Sequence, residues 1–388
     1  MVLSPKRQPT HDVPDLEVPR QSHRILGFDG LRAFAVLMVL TYHFLQGANL
    51  PYTSGGLLQA VLNVIYKGGL GVDLFFVLSG FLMTGILRKE KANAKEFKRY
   101  WWRFATRRAF RILPIYYLLV VVAFSLTLDS EEALAVPWWA FVIHPLPLQN
   151  WLLGFGYHTS EVLSVTWSLA VEEHFYLFWP FAVWFLRREG LKRLTVWLIC
   201  LACVIRPLIY VAYGYSAVYQ LTVTRMDALL MGALAYLLYS ERHVLSRVWA
   251  QRLAFPLLLA LALLVSSGYA NPETFPYAIA GYPFVALTFG VLVTAVRELQ
   301  THRFVRALEW KPLSVLGDQY SYGLYVWHLL ALALAYTILD AIELSPHNSL
   351  MGFAALTLSF LSILGVIVFW SRRYERWWLF VRDRLTRE

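Results

Sequence analysis

Ten stretches of this 388-residue chain stay apolar for about 20 residues each, long enough to cross a hydrocarbon core about 30 Å thick as α-helices. Lipid offers the backbone no water, so only helices and closed barrels can satisfy every N–H and C=O inside it. The runs are continuous rather than alternating, which predicts helices. The expected fold is therefore an all-α polytopic membrane protein, with spans at about 28–48, 68–88, 112–128, 166–187, 193–213, 221–240, 253–269, 277–297, 319–340 and 349–371. Composition agrees, with 15% charged residues against about 25% in soluble domains.

A net charge of +10 would suggest nucleic acid in a soluble protein. Here its distribution points to a membrane face, and no nucleic-acid partner is expected. With the N-terminus in the cytoplasm, 31 of the 35 Lys and Arg residues fall in cytoplasmic segments, as the positive-inside rule requires. Both termini are expected inside. Residues 1–23 read as a mobile polar tail without the apolar core of a signal peptide, 24–372 as the membrane domain, and 373–388 as a basic cytoplasmic tail. The same count decides segment 134–151, which is apolar but interrupted by Pro137, Pro145 and Pro147. A full span there would move Arg187–Arg193 outside, so it reads as a re-entrant or interfacial piece at the outer face. Cys200 and Cys203 lie mid-run without further ligands and read as packing residues, and no metal is expected.

An ionisable group within a span is costly unless paired, which makes it a functional candidate. His43 lies deep in the first run, eleven residues after Arg32, or ~16 Å of helical rise. Glu172 and Glu173 sit together in the fourth run, where two adjacent carboxylates need partners or a shared proton. Rise along each helix puts His43 and Glu172 at one depth, roughly 8–9 Å below the outer boundary, with Asp73 level, Arg225 slightly shallower and Arg206 slightly deeper. Together they suggest one polar chamber in the outer leaflet. Other readings of single residues are plainer. Arg225 and Asp227 could pair with each other, and His328 in the ninth run suits a hydrogen-bonded structural histidine. Gly71, Ser79 and Gly80 suit close helix approach. Arg108 and Arg111, three apart on one helix face, suit either anionic lipid or a phosphate; spacing alone favours lipid.

Six ordered motifs carry a family resemblance: DGLRAFAVLMVLTYH, GVDLFFVLSGFLMT, RRAFRILPIYY, TWSLAVEEHFYLFWP, RMDALLMG and SYGLYVWH. From about Ile25 to Trp370 the chain resembles the acyltransferase-3 family of integral membrane O-acyltransferases. The family's basic residue and histidine fall on Arg32 and His43, its RxxR motif on Arg108 and Arg111, and its SxxxE pattern on Ser168 and Glu172. His174 departs, standing where members often carry Gln. No SGNH-type domain follows, so the membrane domain is expected to act alone or with a partner.

The resemblance implies transfer of an acyl group, usually acetyl, from cytoplasmic acyl-CoA to a hydroxyl, in the cell (inner) membrane. Acceptors would be an extracytoplasmic glycan or lipid-linked glycan, such as exopolysaccharide or lipopolysaccharide O-antigen, or alternatively a small hydrophobic molecule such as a macrolide. It also moves Arg108 and Arg111, with Arg32, towards the CoA phosphates. His43 is then the expected general base and Glu172 its orienting carboxylate, although an acyl-histidine relay stays open. Asp73, Ser168, Glu173, Arg206, Arg225, Asp227 and His328 would support the chamber. A secondary transporter or glycan-lipid exporter is the rival class, since buried His, Glu and Asp also build proton relays; the chain shows none of the repeats usual in transporters.

Overall fold

The computed structural model describes residues 25–48, 56–128, 139–157, 160–239, 244–267, 271–346 and 349–385. The expected N-terminal tail and the first part of segment 134–151 lie outside the described residues. Ten long helices follow one another: α1 (Phe28–Gly47), α2 (Leu70–Asn93), α3 (Phe97–Leu128), α4 (Trp167–Phe185), α5 (Arg188–Gln220), α6 (Thr222–Tyr239), α7 (Val244–Ser266), α8 (Tyr282–Glu298), α9 (Ser321–Ala341) and α10 (Leu350–Leu385). Each expected apolar run carries one, and no strand occurs among the described residues. The chain is a multi-pass membrane protein. Eight of the helices, α8 and α9 counted with their leading turns, are long and apolar enough to span a bilayer. The exceptions are α4, with Glu172, Glu173 and His174, and α6, with Arg225 and Asp227.

Several boundaries differ from expectation. The basic, aromatic stretch Lys89–Arg111 belongs mostly to α2 and α3, which leave only a short turn between them. The basic residues from Arg372 onward continue α10 as helix to Leu385. Segment 134–151 holds no spanning helix among its described residues; Ala140–Ile143 and Gln149–Gly154 are four and six residues long. Buried Gln149 and Asn150 anchor it. Gln149 Nε2 donates to the Thr166 carbonyl at 3.0 Å, and Asn150 Nδ2 donates to Thr222 Oγ1 at 3.0 Å.

The helices sort by burial. About two-thirds of the spanning part of α2 and of α8 is buried (67% each), against 17% for α5. Accordingly α2 and α6 form the central pair, with α1 and α9 on one side, α8 on the other, and α4 against α2. Apolar side chains on α5 and α10, such as Val211, Leu208, Leu358 and Trp370, are exposed and face where lipid would lie.

Close approach of α2 and α6 rests on reciprocal glycines. A Cβ on Gly80 would overlap the Leu229 carbonyl, and one on Gly232 would overlap the Val77 carbonyl. Small residues let backbones meet in lipid, where dispersion replaces the hydrophobic effect between helices. Gly80→Val or Gly232→Val should therefore prevent recovery of a monodisperse protein in detergent. Gly365→Ala, on an open face of α10, should be neutral or stabilise by up to about 1 kcal/mol. Size-exclusion profiles and thermal melts of the three variants check this; a monodisperse Gly80→Val protein with wild-type melting would contradict the close approach.

Candidate functional site

A cavity of about 200 Å³ opens between α1, α2, α3, α4 and α9. From α2 it takes Val72, Phe75, Phe76, Ser79, Leu82, Met83 and Ile86, which recur every three or four residues along one face. Val72 to Ile86 is a rise of ~21 Å, so the cavity follows most of the membrane's thickness. Arg32, Arg108 and Arg111 all line it, on α1 and α3. On the far side stand Ser168, Glu172 and Tyr176 of α4, and Ser321, Tyr322 and Tyr325 of α9. A single turn of π-helix, Leu316–Tyr320, leads into that stretch of α9; such turns often mark functional sites.

The charges in this cavity are unbalanced. Arg32 pairs with Asp29 at 2.9 Å. Arg108 and Arg111 make no ion pair or hydrogen bond among the described residues, and the Arg108 Nε is buried without a partner. The Arg108 guanidinium instead lies over the rings of Phe104 and Tyr176, at 5.9 and 6.0 Å. Glu172 is held by two donors, Ser79 Oγ at 2.7 Å and Tyr176 OH at 3.2 Å. A cavity with two unpaired guanidiniums and a mostly apolar wall along α2 suits an anion joined to an uncharged chain.

His43 and Glu172 do not pair. The partner of His43 is His328, whose Nε2 is 3.1 Å from His43 Nδ1. The hydrogen positions follow from the heavy atoms. The Tyr325 carbonyl only accepts, so His328 Nδ1, 2.7 Å away, carries a proton and its Nε2 carries a lone pair. His43 Nδ1 faces that lone pair and, at 3.0 Å, the Val39 carbonyl, so it must carry the proton. With both rings neutral, the free lone pair of His43 is on Nε2. The expected common depth of His43, Asp73 and Glu172 does not hold: Glu172 bonds Ser79, six residues or ~9 Å along α2 from Asp73, in the cavity with Arg32 and Arg108, while His43 meets α9 at His328.

The expected single chamber is also divided. Asp73 pairs with Arg225 at 2.8 Å, and Asp227 pairs with Arg206, so Arg225 and Asp227 do not pair with each other. Arg206 is fully buried and donates twice to the Thr224 carbonyl, at 3.0 and 2.7 Å. The Arg225 guanidinium lies 4.3 Å from the Tyr282 ring centre and 5.6 Å from Trp167. Both pairs tie α6 to a neighbour, one to α2 and one to α5. Ser168 Oγ meets Tyr325 OH at 2.6 Å on the cavity wall. Glu173 lines neither cavity, and its Oε1 is buried without a partner. His174 reaches Thr222 Oγ1 at 2.6 Å. Among residues the spacing left unassigned, Tyr176 stood one turn from Glu172 and was legible. Ser79 reads beside Gly71 and Gly80 as a small packing residue, and Tyr325 lies within the motif SYGLYVWH with nothing in its spacing to single it out. A second, smaller cavity of about 100 Å³ opens on the opposite side of α2.

The family model described as "Acyltransferase domain" matches residues 25–371. The chain belongs to this acyltransferase family. Similar proteins include a putative peptidoglycan O-acetyltransferase, YrhL, of Bacillus subtilis, 32% identical over 79% of this chain and 49% of the relative. The peptidoglycan O-acetyltransferase OatA of Listeria monocytogenes is 30% identical over 84% of the chain and 52% of the relative. The O-acetyltransferase OatA of Staphylococcus aureus is 29% identical over 82% and 52%. The chain thus spans about half the length of the curated relatives it matches. No solved structure matches it significantly.

The Arg206–Asp227 pair is structural, and that separates it from the open guanidiniums. Arg206→Leu or Asp227→Leu leaves a buried charge and should each cost about 3–5 kcal/mol. The double variant should lose well under the sum, because neither charge is then stranded. Melting of the purified variants in detergent measures the coupling, and additive losses would dissolve the pair as a unit.

Proposed function

We propose that the protein is a membrane O-acetyltransferase that takes acetyl from cytoplasmic acetyl-CoA and delivers it to a hydroxyl of an extracytoplasmic glycan. The observation that supports this best is the cavity itself, with three guanidiniums among its lining and an apolar wall running ~21 Å along α2. Guanidiniums suit the CoA phosphates, which cannot enter lipid cheaply; the apolar wall suits the mostly uncharged pantetheine arm. The relatives' names support acetyl as the group and a glycan as the acceptor. The concentration of Lys and Arg at the Ile25 end supports a cytoplasmic placement of that end in the cell inner membrane.

The chemistry then follows from the tautomer. The acceptor hydroxyl oxygen bonds to the thioester carbonyl carbon while His43 Nε2 takes the hydroxyl proton. The C–S bond breaks as the tetrahedral intermediate collapses, and the CoA sulfur leaves with the proton returned by the imidazolium. His43 Nδ1–H, donated to His328, holds the ring so that Nε2 faces the substrate, the part a carboxylate plays in a catalytic triad. In this reading Glu172 offsets the guanidiniums and holds Tyr176 and Ser79 in the cavity wall.

His43→Ala should retain acetyl-CoA binding and lose about 10²–10⁴ in transfer rate. His328→Leu should lose less than that, with His328→Gln recovering part through its amide oxygen. Rates of acetyl transfer beside calorimetric acetyl-CoA affinities test both, and near-normal transfer by His43→Ala would defeat the assignment. A stable acetyl adduct on His43, trapped without acceptor, would replace direct attack by a two-step relay. Independently, Arg108→Ala with Arg111→Ala should weaken acetyl-CoA binding at least tenfold and flatten its salt dependence. Unchanged affinity would return these arginines to the lipid surface.

A further inference from the structure

The smaller cavity lies at Gly69 and on the face of α2 that bears Leu70 and Asp73, turned away from the guanidinium cavity. Its walls are unusual for a space inside a membrane bundle. Tyr42, Tyr215, Tyr219, Tyr277 and Tyr282 line it, together with the polar side chains of Lys67, Asn271 and Glu273. Two local breaks in regular helix supply four of these rings. Gly214, at φ 79°, kinks α5 just before Tyr215 and Tyr219, and only glycine takes that conformation readily. A turn of π-helix, Tyr277–Gly281, sets Tyr277 and Tyr282 at its two ends. Tyr42 arrives from α1, where its ring lies 4.8 Å from that of His43.

One group here has no structural employment. Tyr282 is 2% exposed, and its hydroxyl is buried without a hydrogen-bond partner among the described residues. An unpaired buried hydroxyl costs stability, and the Tyr282 ring already has its structural contact, the Arg225 guanidinium over its face. A phenol kept there against that cost suits a ligand that supplies the missing hydrogen bond. The wall also selects the ligand's chemistry. An anion would meet the carboxylates of Asp73 and Glu273, whereas an apolar molecule would strand Lys67 and Asn271. A pyranose ring presents C–H faces to aromatic rings and hydroxyls to mixed donors and acceptors.

We infer that this tyrosine cavity is the acceptor subsite, taking a sugar ring of the glycan beside His43. The inference rests on the acetyl-transfer reading for its purpose, but its test reads binding separately. Wild-type protein and Tyr282→Phe, reconstituted in nanodiscs, would be titrated with chitopentaose, an oligomer of N-acetylglucosamine. In parallel, acetyl transfer to chitopentaose and release of CoA from acetyl-CoA without acceptor would be followed. Tyr282→Phe removes only the unpartnered hydroxyl, so it should melt at or above the wild-type temperature. It should nevertheless bind chitopentaose at least tenfold more weakly and raise the acceptor KM alike. Tyr42→Phe, which keeps the ring, should weaken binding less than Tyr42→Ala. Equal chitopentaose affinity in wild type, Tyr282→Phe and Tyr42→Ala would overturn the subsite while transfer persisted. No binding by the wild type would overturn it as well. Failure of the wild type to use acetyl-CoA at all would instead remove the acetyl-transfer reading.

Discussion

A charge inside a bilayer has to be answered within its own layer, because water cannot reach it. Two ion pairs meet that demand at the centre of this protein, Asp73–Arg225 and Arg206–Asp227. Both include a residue of α6, and they reach α2 on one side and α5 on the other. A slip of α6 by a single turn, ~5.4 Å, would strand four charges at once. The register of the central helices is therefore set by electrostatics, and the glycines at their crossing allow the approach that those pairs need.

With α2 held in that register, its two faces acquire different neighbours. One faces α4 and α9 and bears the long cavity; the other bears the tyrosine cavity near α5 and α8. Between them Phe76 packs edge-on against Trp167, with ring centres 5.9 Å apart. For the proposed reaction this division has a use. A reactive thioester stays in a largely apolar channel while the hydroxylic acceptor occupies a polar pocket, and exclusion of bulk water limits hydrolysis.

The histidine pair fits the same constraint. An imidazole oriented by a carboxylate would bring a full charge to the α1–α9 contact. Two neutral rings linked through nitrogen provide orientation without that cost. The chain of donors runs from His43 through His328 to the backbone carbonyl of Tyr325, a residue that also lines the long cavity.

The ten helices were legible in the sequence, because lipid leaves a continuous apolar run of that length little else to form. So was the grouping of Arg32, Arg108 and Arg111, which line one cavity, since the family's motifs fall on all three. The helical rise placed His43, Asp73, Glu172, Arg206 and Arg225 inside their helices, but they do not share one level: Glu172 bonds Ser79, six residues or ~9 Å along α2 from Asp73. It could not tell which of them face each other. Depth depends on residue number along one axis, whereas pairing depends on how each helix is rotated and which helix stands beside it. Those are set by packing between distant segments: by Gly80 against Leu229, by His328 arriving 285 positions after His43. That is why Arg225 meets Asp73 rather than its near neighbour Asp227, and why Glu172 belongs to the arginine cavity and His328 to His43.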